Sequence, residues 1–207
     1  MPVKAVIFDL GGVLFDWTPE PVYADLIPDE AERKRFLARV CNADWRLKQD
    51  AGQPIAEGTE ELVKRFPEYE PLIRAFYARW PEMLRGTLPG GIAIFEGLRK
   101  AQIPLYALTN WSAETWPYAI AHYPFLQQFR QIVVSGHHGM VKPDPALYRV
   151  MQERIEADRV ARGPDEVAFV DDSAVNVEAA CRFGWQGIHH LNTDQTYRAL
   201  QRLGLPI

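Results

Sequence analysis

Val3-Lys4-Ala5-Val6-Ile7-Phe8-Asp9-Leu10-Gly11-Gly12-Val13-Leu14 sets how the rest of this 207-residue chain is read. Its first half is almost continuously apolar and rich in β-branched and aromatic side chains. That is the pattern of a parallel strand buried on both faces. The run stops at one acidic residue, and two glycines follow Leu10. Glycine permits a tight turn and lets the backbone approach a ligand closely. Asp9 therefore falls at the carboxyl end of a strand, where open α/β sheets place their ligands. Two readings of Asp9 stand on this stretch alone: a carboxylate that attacks an electrophile, or a cap for whatever follows the strand.

Beyond Asp9 the pattern changes. Between residue 16 and about residue 85 no stretch reads as a strand. Apolar residues recur at helical spacing over 30–40, 55–66 and 71–80, with helix-start signals at Asp29 and at Glu68-Tyr69-Glu70-Pro71. A small helical cap over 16–85 is expected, inserted into a core built from 1–15 and 86–207. In the second part, strands and helices alternate. Strands are expected at 103–108, 131–134, 167–170 and 187–191. Helices are expected at 92–101, from Ser112, from Pro145 behind the N-cap Asp144, and from Ala174 to a stop at Gly184. Such alternation implies an α/β fold with a doubly wound, Rossmann-like parallel sheet of about five strands.

Hydrophobic residues are 47% of the chain, charged residues 24%, and the net charge is −4, which is ordinary for a globular protein. With no long basic run, neither a nucleic acid nor an anionic membrane is an expected partner. No stretch is long and apolar enough to span a bilayer, and no charged leader precedes an apolar run. The cytoplasm is the expected compartment, and a monomer or homodimer the expected state. Cys41 and Cys181 read as buried or partly buried free thiols rather than a disulfide.

Three strand ends carry polar residues: Asp9 on the first, Thr109 and Asn110 on the second, Asp171 and Asp172 on the fourth. Lys142 lies shortly after the third. In a parallel sheet these ends share one edge, so distant residues can converge. Carboxylates, a hydroxyl, an amide and one ammonium together describe a site for an anion and a hard cation. Mg²⁺ takes oxygen ligands, including one or two carboxylates and substrate phosphate. It would offset repulsion between an attacking carboxylate and a phosphoryl group.

These residues carry a resemblance. Phe8-Asp9-Leu10-Gly11-Gly12-Val13, Leu108-Thr109-Asn110, Val141-Lys142-Pro143-Asp144-Pro145 and Phe169-Val170-Asp171-Asp172-Ser173 resemble, in order and spacing, the four motifs of the haloacid dehalogenase-like (HAD) hydrolase superfamily. The helical insertion resembles the cap that one branch places after the first motif. The resemblance implies that Asp9 is the nucleophile, forming a covalent aspartyl intermediate. Thr109 and Asn110 would hydrogen-bond the transferred group, with Gly11 and Gly12 beside it, and Lys142 would steady the nucleophile. Asp9, Asp171, Asp172 and the Gly11 carbonyl would hold Mg²⁺, with Asp172 the direct ligand of the acidic pair. The implied activity is a Mg²⁺-dependent phosphatase of a small phosphorylated metabolite.

The chain departs from the phosphatase pattern at Gly11, and Asn176 falls where the family often has another Asp. Gly11 stands where family phosphatases carry a second Asp, which protonates the leaving oxygen and then activates water. General acid–base help is typically worth roughly 10²–10⁴-fold. Its loss favours stable leaving groups, as in sugar 1-phosphates, acyl phosphates and aryl phosphates. Asp16 is the candidate substitute, against a structural role at the cap entry. The departure also opens a metal-independent 2-haloacid dehalogenase, which resembles this chain at Asp9, Asn110, Lys142 and Tyr148 and needs a cap arginine, with Arg39 in a suitable region. A third reading is a phosphometabolite-binding protein without turnover. Trp17, Trp45, Trp111 and Trp116 read as cap-to-core packing or as the walls of a pocket for a sugar or aromatic group. His137-His138 reads as a loop pair rather than a catalytic one. Asn176 would order the metal shell or bond to the loop backbone.

Overall fold

The computed structural model describes residues 2–207. The opening apolar run forms β1 (Ala5–Phe8), with Val6 and Phe8 buried on one face and Ala5 and Ile7 on the other. A strand covered on both faces has no position for a polar side chain, which explains why the run is continuous. The other strands are β2 (Phe15–Trp17), β3 (Leu84–Thr87), β4 (Leu105–Thr109), β5 (Gln131–Val134), β6 (Val167–Asp171) and β7 (Gln186–His189). The main sheet runs β5-β4-β1-β6-β7 and is parallel throughout. Its central strand, β1, lies between β4 and β6. The connections diverge there, leaving a crevice at the carboxyl edge.

Six helices lie between β2 and β3: α1 (Glu20–Leu26), α2 (Glu30–Arg39), α3 (Ala43–Asp50), α4 (Ile55–Arg65), α5 (Glu70–Ala78) and α6 (Trp80–Met83). The rest are α7 (Pro89–Lys100), α8 (Trp116–His122), α9 (Pro145–Ala157), α10 (Ala174–Phe183) and α11 (Thr193–Arg202). Phe95 and Leu98 of α7 and Leu200 of α11 cover the sheet face of Val6 and Phe8. Leu147, Met151 and Ile155 of α9 and Ala180 of α10 cover the other. Asp29 and Asp144 cap their helices as their sequence positions suggest, and Gly184 ends α10 in the left-handed conformation at φ +111°. None of the described helices is long and apolar enough to cross a membrane.

Several expectations need correction. The region 16–85 is not free of strands at its ends. β2 and β3 pair antiparallel, Phe15 opposite Thr87 and Trp17 opposite Leu84, and bracket the helical segment. Strands of three and four residues are too short to show alternation, and their partners are far apart in sequence. The helix expected from Ser112 begins at Trp116, behind a turn. Helices α1, α3 and α6 carry too weak or too short an apolar repeat to be read, whereas α11, also absent from the expected elements, is amphipathic and buries Leu200 in the core. Cys181 is exposed on α10, while Cys41 is buried; neither is in a disulfide.

Candidate active site

The strand ladder continues one step past β1, where the Asp9 NH donates to the Val170 carbonyl at 2.8 Å. This places the Asp9 carboxylate at the sheet edge beside β6. Its Oδ1 accepts from the Leu10 NH at 2.7 Å and lies 2.9 Å from the Lys142 ammonium. After Asp9 the chain turns tightly, with Leu14 and Phe15 both donating to the Leu10 carbonyl. Gly12 sits in this turn at φ +69°, and a Cβ there would lie 2.1 Å from Asp172 Oδ2. Glycine is therefore required twice over, for the backbone and for the approach of the late carboxylate. The Gly12 NH is itself committed to the Phe15 carbonyl, at 2.9 Å.

Lys142 is almost wholly buried and spans two carboxylates, Asp9 Oδ1 and Asp171 Oδ2, the latter at 2.6 Å. Burial works against its charge, but Asp9 and Asp171 outweigh it and hold Lys142 above its ordinary value. Asn110 fixes the lysine backbone from the end of β4. Its Oδ1 accepts from the Lys142 NH at 2.8 Å, and its Nδ2 donates to the Lys142 carbonyl at 3.1 Å. Both ends of the Asn110 amide are thus engaged in positioning the lysine. Thr109, also buried, faces the cavity beside it.

Asp171 is fully enclosed. Its oxygens accept from Lys142, from the Ser173 NH at 2.8 Å, and from Asn176 Nδ2 at 3.1 and 3.2 Å. The Asn176 side chain thus bonds the carboxylate that orients the lysine. The backbone carbonyl of Asn176 accepts from the Tyr148 hydroxyl at 3.1 Å, which ties Tyr148 beneath the site. Asp172 is more open. Partial burial and the adjacent Asp171 hold it above the usual carboxylate range, against the pull of Lys142. Burial likewise pushes Asp9 up to about 7, opposed first by Lys142 and reinforced by Asp171 and Asp172.

Asp9, Asp171 and Asp172 each offer one oxygen within 4.8 Å of the others. Three carboxylates face one ammonium, an imbalance that a buried site tolerates poorly without a further cation. Oxygen donors in this number suit a hard divalent ion.

Above this edge lies a cavity of about 270 Å³, lined by Asp9, Gly11, Thr109 and Asn110 below and by the helical segment above. Trp17, Phe76, Tyr77, Trp80 and Trp111 supply aromatic walls. The Trp111 indole NH is the one buried side-chain polar atom among the described residues without a hydrogen-bond partner. Trp45 and Trp116 are packing residues. Trp45 donates to the Gly58 carbonyl and packs on Phe76 at 5.2 Å, and Trp116 packs on Trp111 at 5.5 Å.

Asp16 does not line the cavity. It faces Arg85 at 3.6 Å across the β2–β3 ribbon. Arg39 is also away from it, over the Phe66 ring at 5.8 Å. The helical segment presents a different arginine to the cavity, Arg46, which lies 5.4 Å over Trp17 and donates to the Cys41 carbonyl at 2.8 Å. One turn later, Asp50 lines the same cavity. Sequence reasoning missed both, because the eight-residue α3 shows no clear apolar stripe. His137 and His138 lie in and after a 3₁₀ turn and do not reach the cavity.

A family model described as haloacid dehalogenase-like hydrolase matches residues 3–184. The sesquiterpene phosphatase astK of Aspergillus oryzae is 28% identical, over 97% of this chain and 96% of the relative. A phosphorylated carbohydrates phosphatase of Thermotoga maritima is 25% identical, over 90% of this chain and 84% of the relative. Among solved structures, the HAD family enzyme bt-2542 of Bacteroides thetaiotaomicron in complex with magnesium superposes with a TM-score of 0.67 at 19% identity. That match covers 96% of this chain and all of the other. Solved dehalogenases share the fold at 19–20% identity as well, so the fold alone does not choose between the two reactions.

Proposed function

The chain belongs to the haloacid dehalogenase-like hydrolases, and on that footing we propose that it is a Mg²⁺-dependent phosphatase of a small phosphorylated metabolite. The observation that carries this reading is the charge balance at the strand edge. Asp9, Asp171 and Asp172 converge within 4.8 Å, with Lys142 as their single buried counter-charge among the described residues. Asp9, Asp172 and the Gly11 carbonyl would hold the ion, with Asp171 adding its charge while its oxygens orient Lys142. The bound ion would supply charge neutralisation for the transferred phosphoryl group.

The chain's own residues do the rest. Asp9 attacks phosphorus while its Oδ1 stays anchored to Leu10 NH and Lys142. Lys142 offsets the negative charge that accumulates as nucleophile and phosphoryl oxygens approach. Thr109 offers its hydroxyl to the transferred group, and Asn110 holds the lysine in register. Water then opens the aspartyl-phosphate. The helical segment acts as a cap that shields the site and selects the substrate. The pair of free cysteines fits a reducing compartment, and we place the enzyme in the cytoplasm, as monomer or homodimer.

The cavity walls suit a leaving group with an apolar or ring face, an aryl or hydrocarbon alcohol rather than a small polar one. A relative named as a sesquiterpene phosphatase that spans nearly the whole chain supports that choice. The test is phosphate release from a panel of monophosphates. p-Nitrophenyl phosphate and farnesyl monophosphate are expected to exceed glycerol 3-phosphate in kcat/KM by about tenfold or more. EDTA is expected to abolish release and Mg²⁺ to restore it. A preference for glycerol 3-phosphate would overturn the leaving-group assignment. Arg46 in the cavity favours a second reading, since a cap arginine suits halide displacement. Chloride release from a 2-haloacid in EDTA, without phosphatase activity, would establish that reading instead.

Gly12→Ala tests the ion site without touching a ligand. The added Cβ would displace Asp172, so the Mg²⁺ concentration for half-maximal activity is expected to rise roughly 10- to 100-fold.

A further inference from the structure

The phosphatase reading leaves one chemical requirement unfilled, a group to protonate the leaving oxygen, because position 11 is glycine. Resting on that reading, we propose that Asp50, at the carboxyl end of α3, is the general acid and base of the reaction, delivered from the cap side of the cavity.

Three observations place it there. Of the described residues lining the cavity, Asp9 and Asp50 are the only carboxylates. Asp9 is the nucleophile, so Asp50 is the carboxyl group available on the leaving-group side. Second, Asp50 is anchored to the catalytic edge rather than to a free loop. Its backbone carbonyl accepts from Ser135 Oγ at 2.6 Å, and the same hydroxyl oxygen accepts from the Trp111 NH at 2.9 Å, two residues after Thr109. Close by, the Glu114 carboxylate accepts from the Ile55 NH at 2.7 Å, a second tie between the two sides. Position 50 therefore moves with the β4 end that carries Thr109. Third, the space beside Gly11 is open: a Cβ there would meet no atom within 4 Å. The room that an acidic side chain at position 11 would occupy is left to substrate and to a carboxyl from the opposite wall.

The surroundings give Asp50 a suitable acidity. Burial pushes it up to about 7, against the pull of Arg46 and of the Ser112 backbone NH. The other titratable group beside it is Tyr77 on α5, which Cys41 and Glu114, outside the cavity lining, also influence. His137 sits on the 3₁₀ turn that packs against α3. Tyr77 is held well above its ordinary value by burial first and then by Asp50, so it is a weaker acid than Asp50. A group that titrates near neutrality is well matched to both proton transfers.

An Asp9 oxygen forms a bond to phosphorus as the bond from phosphorus to the leaving oxygen breaks. That electron pair stays on the leaving oxygen, which takes the Asp50 proton and departs as an alcohol. In the second half, the Asp50 carboxylate takes a proton from water. The water oxygen bonds to phosphorus, and the bond to Asp9 breaks. Inorganic phosphate leaves, and both carboxyl groups return to their starting states.

The test compares leaving groups. Asp50→Asn keeps size and polarity, and the anchoring carbonyl belongs to the backbone, so the fold should hold; an unchanged melting temperature or a higher one checks this. For an alkyl monophosphate, whose alkoxide is a poor leaving group, kcat/KM is expected to fall about 100-fold. For p-nitrophenyl phosphate, which needs little protonation, the fall is expected to be about threefold or less. The wild type should lose kcat/KM for the alkyl substrate as pH rises through about 7, where Asp50 gives up its proton, and the variant should lose this limb. Adding Gly11→Asp to Asp50→Asn supplies a carboxyl from the other side, and is expected to restore about tenfold or more of the alkyl-phosphate rate. Equal losses for both substrates, or no loss for either, would overturn the assignment while leaving the phosphatase reading intact. If the wild type releases phosphate from no monoester, the phosphatase reading falls, and this assignment with it.

Discussion

Asp9→Asn is expected to reduce phosphate release on the order of 10⁴- to 10⁶-fold, as removal of a covalent nucleophile does. The amide retains an oxygen at the position where Oδ1 accepts from the Leu10 NH, and Lys142 retains Asp171 at 2.6 Å. The local hydrogen bonds therefore survive, and the substitution separates chemistry from folding. The measurement is single-turnover release with a phosphorylated substrate, beside circular dichroism and a melting curve. Incubation with substrate followed by acid quench should trap phosphate covalently on the wild type and not on the variant. Residual turnover within tenfold of wild type would show that another group attacks phosphorus.

Lys142→Met carries the second large effect, and this one reaches stability as well as rate. The methionine chain fills similar space but removes the ammonium between Asp9 and Asp171, of which Asp171 is completely enclosed. Breaking a buried pair by deleting one partner leaves uncompensated charge and costs about 3–5 kcal/mol. For a chain of this size each kcal/mol lowers the melting temperature by roughly 2–4 °C, so a drop of about 10 °C is expected near pH 8. The sign with pH follows from Asp9, whose folded value already stands above its unfolded one with the lysine present. A carboxyl raised on folding destabilises in full above its folded pKa, and that penalty fades as pH falls from there toward its unfolded value. The deficit of the variant should therefore shrink as pH falls from 8 toward 5. Activity should fall together with stability at pH 8, since no other cation among the described residues pairs with Asp9. A variant as stable as wild type at pH 8 would mean that the lysine does not compensate these carboxylates.

The convergence of polar residues at the carboxyl edge of the sheet is largely legible in the sequence, and the reason is topological. A parallel sheet delivers every strand's carboxyl end to the same side. Polar residues that interrupt apolar runs at those ends must therefore meet, whatever their separation in sequence. Asp9, Thr109, Asn110, Asp171 and Asp172 were readable on that ground, and the motif order brought in Lys142. What could not be read was the division of labour among them. Asn110 spends both ends of its amide on the lysine backbone, and Asp171 spends its oxygens on Lys142, Ser173 and Asn176. These roles depend on where each side chain finds its partner, and the residue type leaves that open.

The cap side was less legible. Its long amphipathic helices α2, α4 and α5 stand out, and α5 gives the cavity Phe76 and Tyr77, but Ala43, Arg46, Leu47 and Asp50 all belong to α3, which has no periodic signature. Arg39, suited by its place in the sequence, packs on Phe66 instead, whereas Arg46 and Asp50, which carry no local signal, line the cavity. Local spacing alone thus determined a doubly wound sheet and the identity of the groups at its rim, because strand periodicity and strand ends are properties of short segments. Which cap residues confront that rim was decided only by the packed chain. The tie between the Asp50 carbonyl and Ser135 joins residues 85 positions apart, and a contact formed across that distance leaves no mark in the pattern of either segment.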